Sequence, residues 1–255
     1  MITYSSLGKN GRLGNQMFQY ATLFSVGFLR GYEVGIPKEG HELFKYFQMS
    51  HASVIPEDFS PDYRFEEPSF IASGEIFFTP DKTDIHGYFQ SPSYFNHCAP
   101  ILKKELTFGE EIQKKAEERM KIFSGEKTCS LHVRRGDYLN RSHYHTNLGS
   151  DYYQKAINII IQNFGKVKFL IFSDDIEWCR SVFTGPEFHL VSAGEESTEM
   201  CMMSMCNSHV IANSSFSWWG AWLSGSRAVI APKQWFSDQG PDEWDSIYEK
   251  EWTVV

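Results

Sequence analysis

The sequence has no apolar run that approaches the roughly 20 residues needed to cross a bilayer. Its first residues also lack the basic, apolar and cleavage segments of a secretory leader. There is no Cys-x-x-Cys pair, no Asp-x-Asp pair, no internal repeat and no low-complexity linker. Five cysteines, Cys98, Cys129, Cys179, Cys201 and Cys206, make an odd count without framework spacing, so they read as reduced thiols and the chain as cytoplasmic. Positive charge is scarce: 24 Lys and Arg stand against 32 Asp and Glu, a formal net charge of −8. That balance disfavours broad attraction to nucleic acid or anionic lipid, so any phosphate ligand must be held by a small local site.

What is present is ordinary globular material, 42% hydrophobic and 22% charged over 255 residues, enough for one large or two small domains. Thr128 to Val133, Lys168 to Ser173, His209 to Ala212 and Ala228 to Ala231 read as buried strands. Helical patterns alternate with them. Gly109 to Phe123 carries apolar residues at helical spacing. From Asp151 to Phe164, Tyr153, Ala156, Ile157, Ile160, Ile161 and Phe164 repeat along one face behind Ser150 as N-cap, and further helices begin near 175, 198 and 217. Strands apolar on both faces and separated by helices predict an α/β fold with a covered parallel sheet, whose ligands bind beyond the carboxyl ends of the strands. Arg134, Asp174 and Ser214 each follow a strand directly. Toward the N-terminus, Ile2 to Tyr4 reads as a strand and Asn15 to Arg30 as a helix, while residues 37–100 show no sustained period. A small, irregular first lobe over residues 1–125, joined by the segment 236–255, and a second lobe over residues 126–235 are therefore expected.

In Ser130-Leu131-His132-Val133-Arg134-Arg135-Gly136-Asp137 an apolar run ends in two guanidiniums and a carboxylate. Guanidinium donors form a rigid, permanently charged fork suited to phosphate, although two arginines beside an aspartate are by themselves more often a solvated surface pair. Phe172-Ser173-Asp174-Asp175 offers paired carboxylates that read as a divalent-cation site, a nucleoside acceptor or a helix N-cap. In Asn213 to Gly220 the tryptophans Trp218, Trp219 and Trp222 read as packing. Ser214 and Ser215 lie at a helix mouth, where N–H groups and the dipole favour an anion. Gly8, Gly11 and Gly14 match neither the dinucleotide nor the phosphate-loop spacing and read as a turn, with Asn15 and Gln16 at the following helix start. Met200, Met202, Met203 and Met205 read as core filler. His143 and His145 fall in a polar loop, where solvated side chains or a general base are both open readings. The glycosylation tripeptides at Asn140 and Asn213 are short enough to arise by chance.

Together, Gly11-Arg12-Leu13-Gly14-Asn15-Gln16-Met17-Phe18-Gln19-Tyr20, His132 to Asp137, Phe172 to Asp175 and Ser214 to Trp219 closely resemble the α-1,2-fucosyltransferases of glycosyltransferase family 11. Gly87-Tyr88-Phe89-Gln90-Ser91, Asp151-Tyr152-Tyr153 and Ala231 to Phe236 add to the match, which runs in order from about residue 8 to the C-terminus. The resemblance implies a GT-B fold of two Rossmann-like lobes with a cleft between them, and inverting transfer of fucose from GDP-β-L-fucose to the 2-hydroxyl of a terminal galactose. The implied acceptor is a galactose-terminated oligosaccharide or lipid-linked glycan. No metal and no other cofactor is expected. Weak peripheral membrane association is compatible with such an acceptor, although no basic amphipathic helix points to it.

The resemblance also implies residue roles. Arg134, assisted by Arg135, would meet the donor diphosphate, and His132 belongs to the same motif. Asp174 or Asp175 would lie near the guanosine, Ser214, Ser215 and Phe216 would offer backbone donors to the phosphates, and Asn15 would face the reacting sugar. Asp137 is a possible catalytic carboxylate, but two adjacent guanidiniums would make it a poor base, so orienting the arginines suits it better. The base itself stays open among His143, His145 and the N-terminal lobe. Two other readings stand beside this one: a GT-B transferase with a different nucleotide sugar or acceptor position, and an inactive module that binds sugar nucleotide or glycan.

Overall fold

Short runs of apolar residues build two parallel sheets in the computed structural model, which describes residues 1–192 and 194–255. The chain divides into one unit of Met1–Gly109 with Glu243–Glu249 and another of Glu110–Asp242 with Lys250–Val255.

In the first unit the elements are β1 (Ile2–Thr3), α1 (Leu13–Arg30), β2 (Val34–Ile36), α2 (Leu43–Tyr46), β3 (Ala52–Val54), β4 (Tyr63–Glu66), β5 (Thr83–His86) and α3 (Ala99–Glu105). The strands pair in parallel in the order β3-β2-β1-β5-β4. Helix α1 is apolar or small nearly all round and is buried almost without a break from Leu13 to Gly27, as expected of a helix enclosed by its own domain. It stops where Gly31 takes a left-handed conformation, with Arg30 complementing the carbonyl end. The connections from β3 to β4 and from β4 to β5 contain no α-helix, only a 3-10 turn at Gly74–Phe78. The irregularity expected of this lobe therefore lies in its crossovers, while its sheet is regular. The Glu243–Glu249 segment belongs to this unit, where Ser246 accepts hydrogen bonds from Ala72 N at 3.3 Å and Ser91 Oγ at 2.6 Å.

The second unit comprises α4 (Glu110–Met120), β6 (Thr128–Val133), α5 (Gly136–Leu139), α6 (Ser150–Phe164), β7 (Lys168–Ser173), α7 (Ile176–Val182), β8 (Phe188–Leu190), α8 (Glu196–Ser204), β9 (Ser208–Val210), α9 (Ser215–Ser224), β10 (Val229–Ala231) and β11 (Thr253–Val254). Its six strands run in parallel in the order β11-β10-β9-β6-β7-β8. The order reverses next to β6, whose six residues are all buried. Tyr153, Ala156, Ile157 and Ile160 of α6 pack on Leu131, Val133, Phe169 and Ile171 of the sheet. Ile161, expected on that apolar face, is 44% exposed, and the N-cap of α6 is Gly149, with Ser150 already inside the helix. Met200, Met202 and Met203 are buried in α8, and Trp218, Trp219 and Trp222 in α9, where Trp218 also meets Trp252. These side chains fill the core.

The unit boundary falls at Gly109, ahead of the expected one at residue 125, because α4 packs against α8 and so belongs to the second sheet. The C-terminal segment is also shared: residues 236–242 and 250–255 stay with the second unit, where β11 pairs with β10. All five cysteines are buried free thiols. Among the described residues no helix is long and apolar enough to cross a membrane.

Candidate active site

The parallel register of β6 and β7 sets Val133 beside Ser173, so the residues that follow, Arg134-Arg135 and Asp174-Asp175, leave the sheet side by side. Asp174 Oδ1 accepts the backbone N–H groups of Arg135 at 2.9 Å and Gly136 at 3.1 Å, and its Oδ2 meets Arg134 Nη1 at 2.9 Å. A Cβ on Gly136 would lie 2.7 Å from that oxygen, so only glycine lets the carboxylate close over the loop. Asp137 takes the other terminal nitrogen of Arg134 at 2.5 Å. Arg135 Nε meets Asp175 Oδ2 at 3.1 Å, while its guanidinium lies 4.4 Å from the centre of the Trp178 ring. Asp175 is also the N-cap of α7, accepting from Trp178 N at 3.1 Å.

Two arginines thus meet three carboxylates, and the five side chains sum to a formal charge of −1. Both terminal nitrogens of Arg134 are engaged, whereas those of Arg135 make no hydrogen bond among the described residues. Asp137, the ion-pair partner of the second Arg134 nitrogen, is 40% exposed. Asp174 and Asp175 are turned onto the arginine loop and its backbone.

His132 lies inside the wall. Its Nδ1 is 2.9 Å from Ser217 Oγ, and because that hydroxyl donates to the Ser214 carbonyl at 3.3 Å, the imidazole supplies the proton between them. Burial, reinforced by the Arg134 guanidinium, pushes His132 down to about 3, so it is neutral. It anchors the mouth of α9 and offers no positive charge to a ligand. Ser214 is the N-cap of α9, with its Oγ accepting from Phe216 N at 3.4 Å, and its own N–H donates to Ala212 O at 2.8 Å, so two of the three expected backbone donors already have partners. Ser215, Phe216 and Ser217 form the first turn of this ten-residue helix, the end that carries the positive pole of its dipole. Tyr138 closes the arrangement: it lies under Arg134 at 5.4 Å, donates its hydroxyl to Asn213 O at 3.1 Å and stacks on His145 with ring centres 4.0 Å apart.

His145 is enclosed by Tyr138, Tyr144 and Phe236, and burial lowers its pKa. Its ring is packed among these aromatic rings. His143 is exposed in the same loop. Asn213 is buried and donates to Thr146 O and Trp235 O, so this sequon is closed to glycosylation in the folded chain.

A second group of polar residues lies in the first unit, beyond the carboxyl ends of β1 and β5. Asn15 stands in the first turn of α1, and its Oδ1 accepts from Gln90 Nε2 at 2.7 Å. Gly11, at φ +99°, leaves room for the Asn15 amide, whose nitrogen would be 2.2 Å from a Cβ there. Gln16 turns away to accept from Glu42 N at 3.0 Å. Glu67, Gln90, Tyr138 and Trp178 take part in contacts that their sequence positions do not announce. For Gln90 the signal was the Gly87-Tyr88-Phe89-Gln90-Ser91 run.

Three relatives and one solved structure frame these observations. The chain is 39% identical over 125 residues to the O-antigen biosynthesis glycosyltransferase WbnK of Escherichia coli, a match over 46% of this chain and 41% of that protein. It is 27% identical to the Escherichia coli alpha-1,2-colitosyltransferase over 94% of this chain and 95% of that one. With the galactoside 2-alpha-L-fucosyltransferase Sec1 of Mus musculus it shares 28% identity over 86% of this chain and 64% of the other. The fold is GT-B-like, superposing on the NodZ alpha-1,6-fucosyltransferase, whose crystals were soaked with GDP-fucose, with a TM-score of 0.56 at 14% identity over 87% of this chain and 91% of that one. A sequence model of glycosyl transferase family 11 matches residues 3–255, and the chain belongs to that family.

Proposed function

We propose that the chain is an inverting, metal-independent fucosyltransferase that moves L-fucose from GDP-β-L-fucose to the 2-hydroxyl of a terminal galactose. The observation that carries this reading is the cluster of Arg134, Arg135, Asp137, Asp174 and Asp175 beyond β6 and β7. As the fucosyl–oxygen bond breaks, negative charge grows on the β-phosphate, and preorganised guanidiniums and helix-mouth N–H groups stabilise it. Arg135 has terminal nitrogens to offer at once. Arg134 gains phosphate oxygens by releasing Asp137, an exposed partner worth under about 1 kcal/mol. Asp174, held by two N–H groups, keeps Arg134 aimed during the exchange. The metal-free reading is supported by the engagement of both Asp174 and Asp175 with arginine and backbone donors. Asn15 would contact the transferred sugar.

A second reading keeps the chemistry and changes the sugar. It is favoured by the relative matched over 95% of its length, which is named an alpha-1,2-colitosyltransferase. Turnover of a panel of GDP-sugars separates the two: transfer from GDP-fucose is expected, and turnover of another GDP-sugar without it would displace the first reading. Arg134→Ala tests the site, with an expected loss of roughly a hundredfold in kcat, about 3 kcal/mol of barrier. Near-wild-type activity in that variant would remove the assigned role.

A further inference from the structure

At the carboxyl edge of the first unit's sheet, Glu66 of β4 lies in register with His86 of β5, and Glu67 N donates to His86 O at 2.8 Å. Beyond this point β5 continues into Gly87-Tyr88-Phe89-Gln90. Phe89 has φ +52°, a left-handed conformation that a bulky residue keeps only where its surroundings hold it. Three side chains do so. Glu67 Oε2 accepts Tyr88 N at 2.7 Å and Phe89 N at 2.9 Å. The Tyr4 hydroxyl donates to Gly87 O at 2.5 Å and accepts Gly87 N at 3.1 Å, and Gln19 Nε2 donates to Gly87 O at 3.3 Å. The turn delivers Gln90, 8% exposed, whose Nε2 donates to Asn15 Oδ1 at 2.7 Å.

We propose that Glu67 is a positioning residue for Asn15: by fixing the turn that carries Gln90, it sets the rotation of the Asn15 amide. Once Oδ1 is committed to Gln90, the amide's nitrogen is directed over Gly11, at the face left open by the missing Cβ. A rotated amide would present the opposite hydrogen-bonding character there. Glu67 works through the backbone, because its remaining oxygen Oε1 is buried away from solvent, with the Tyr94 hydroxyl beside the carboxylate. The carboxylate and the asparagine lie 52 residues apart in sequence, 67 − 15, yet one turn joins them. The inference rests on the reading of Asn15 as a contact to the transferred sugar.

The test measures kcat and KM for transfer from GDP-fucose to lactose, with GDP affinity by calorimetry, in the full chain. Glu67→Ala is expected to lower kcat at least tenfold while GDP affinity stays within twofold. Glu67→Gln, whose amide oxygen can still accept both N–H groups, should recover kcat to within threefold. In an Asn15→Ala background, Glu67→Ala should subtract no more than a further twofold. Wild-type kcat in Glu67→Ala, or fully multiplicative losses in the double variant, would overturn the proposal. If Glu67→Ala loses GDP affinity through misfolding, Gln90→Ala cuts the same link without touching the clamp. It should reduce kcat at least fivefold, and unchanged kcat would overturn the proposal. An inert Asn15→Ala would instead overturn the reading of Asn15 itself, whereas an impaired Asn15→Ala beside an active Glu67→Ala defeats the positioning role alone.

Discussion

Arg134 Nη1 lies 2.9 Å from Asp174 Oδ2, while the second oxygen of the same carboxylate holds the backbone of the two residues that follow the arginine. One side chain therefore fixes both the loop and the guanidinium it carries. Replacing Asp174 with Ala should leave two N–H groups and a half-buried guanidinium without their partner, at roughly 1–3 kcal/mol of stability. Transfer from GDP-fucose should fall by at least thirtyfold. Steady-state kinetics and a urea titration check the two effects. Full activity would show that Asp174 is not needed to aim the arginines.

Gly136→Ala probes the same contact from the backbone. The added Cβ must push on Asp174 Oδ2 from 2.7 Å, and the carboxylate has to turn off Arg134 or the loop has to shift. Overpacking of this kind typically costs about 1–3 kcal/mol. The expected result is a kcat at least tenfold lower in a protein that still unfolds cooperatively. A variant with normal kcat would show that the loop absorbs a methyl group without consequence.

The second unit was easier to read from sequence than the first, for reasons visible in particular residues. Thr128–Val133 and Lys168–Ser173 are central strands covered on both faces, so burial forces the apolar run Phe169–Phe172 in one and the apolar Cys129, Leu131 and Val133 in the other. Tyr63–Glu66 is an edge strand with three exposed positions, and Ala52–Val54 is only half-buried, so neither carries a period that betrays it. The strand-end rule placed Arg134, Asp174 and Ser214 directly beyond strands. It could not show that carboxylates already engage the arginines, nor that His132 faces Ser217. Glu67 passed unnoticed because its function is to hold backbone N–H groups, which leaves no pattern in side-chain chemistry.

Two buried histidines make stability depend on pH. His132 and His209 are both pushed down to about 3, His132 by burial and then by Arg134, His209 by burial alone between Ser130 Oγ at 2.7 Å and Ser224 Oγ at 2.8 Å. Their folded pKa values lie below the unfolded value of about 6.5, so between these limits the unfolded chain binds more protons. Stability must therefore fall as pH falls from about 6.5 toward 3. At pH 5 each should contribute about 2 kcal/mol of destabilisation relative to pH 8. Urea midpoints at pH 8, 6.5 and 5 give the slope, and His209→Gln should make it shallower. An identical slope in that variant would show that His209 is not the group responsible.

Chelation should have no effect on turnover. Asp174 and Asp175 are occupied by arginine and backbone donors, and the charge on the leaving diphosphate is assigned to guanidiniums and the mouth of α9. Initial rates with excess EDTA are expected to match those with added Mg²⁺ or Mn²⁺ within twofold. A strict requirement for either cation would overturn the metal-free assignment.

Product linkage analysis decides whether this family 11 chain makes an α-1,2-fucosyl linkage to galactose. Purified protein is incubated with GDP-fucose and several β-galactosides, and the product is resolved by NMR. The expected product carries a single new fucosyl residue, α-linked to the galactose 2-hydroxyl. Fucose at another position, or no transfer from GDP-fucose while another GDP-sugar is consumed, would contradict it.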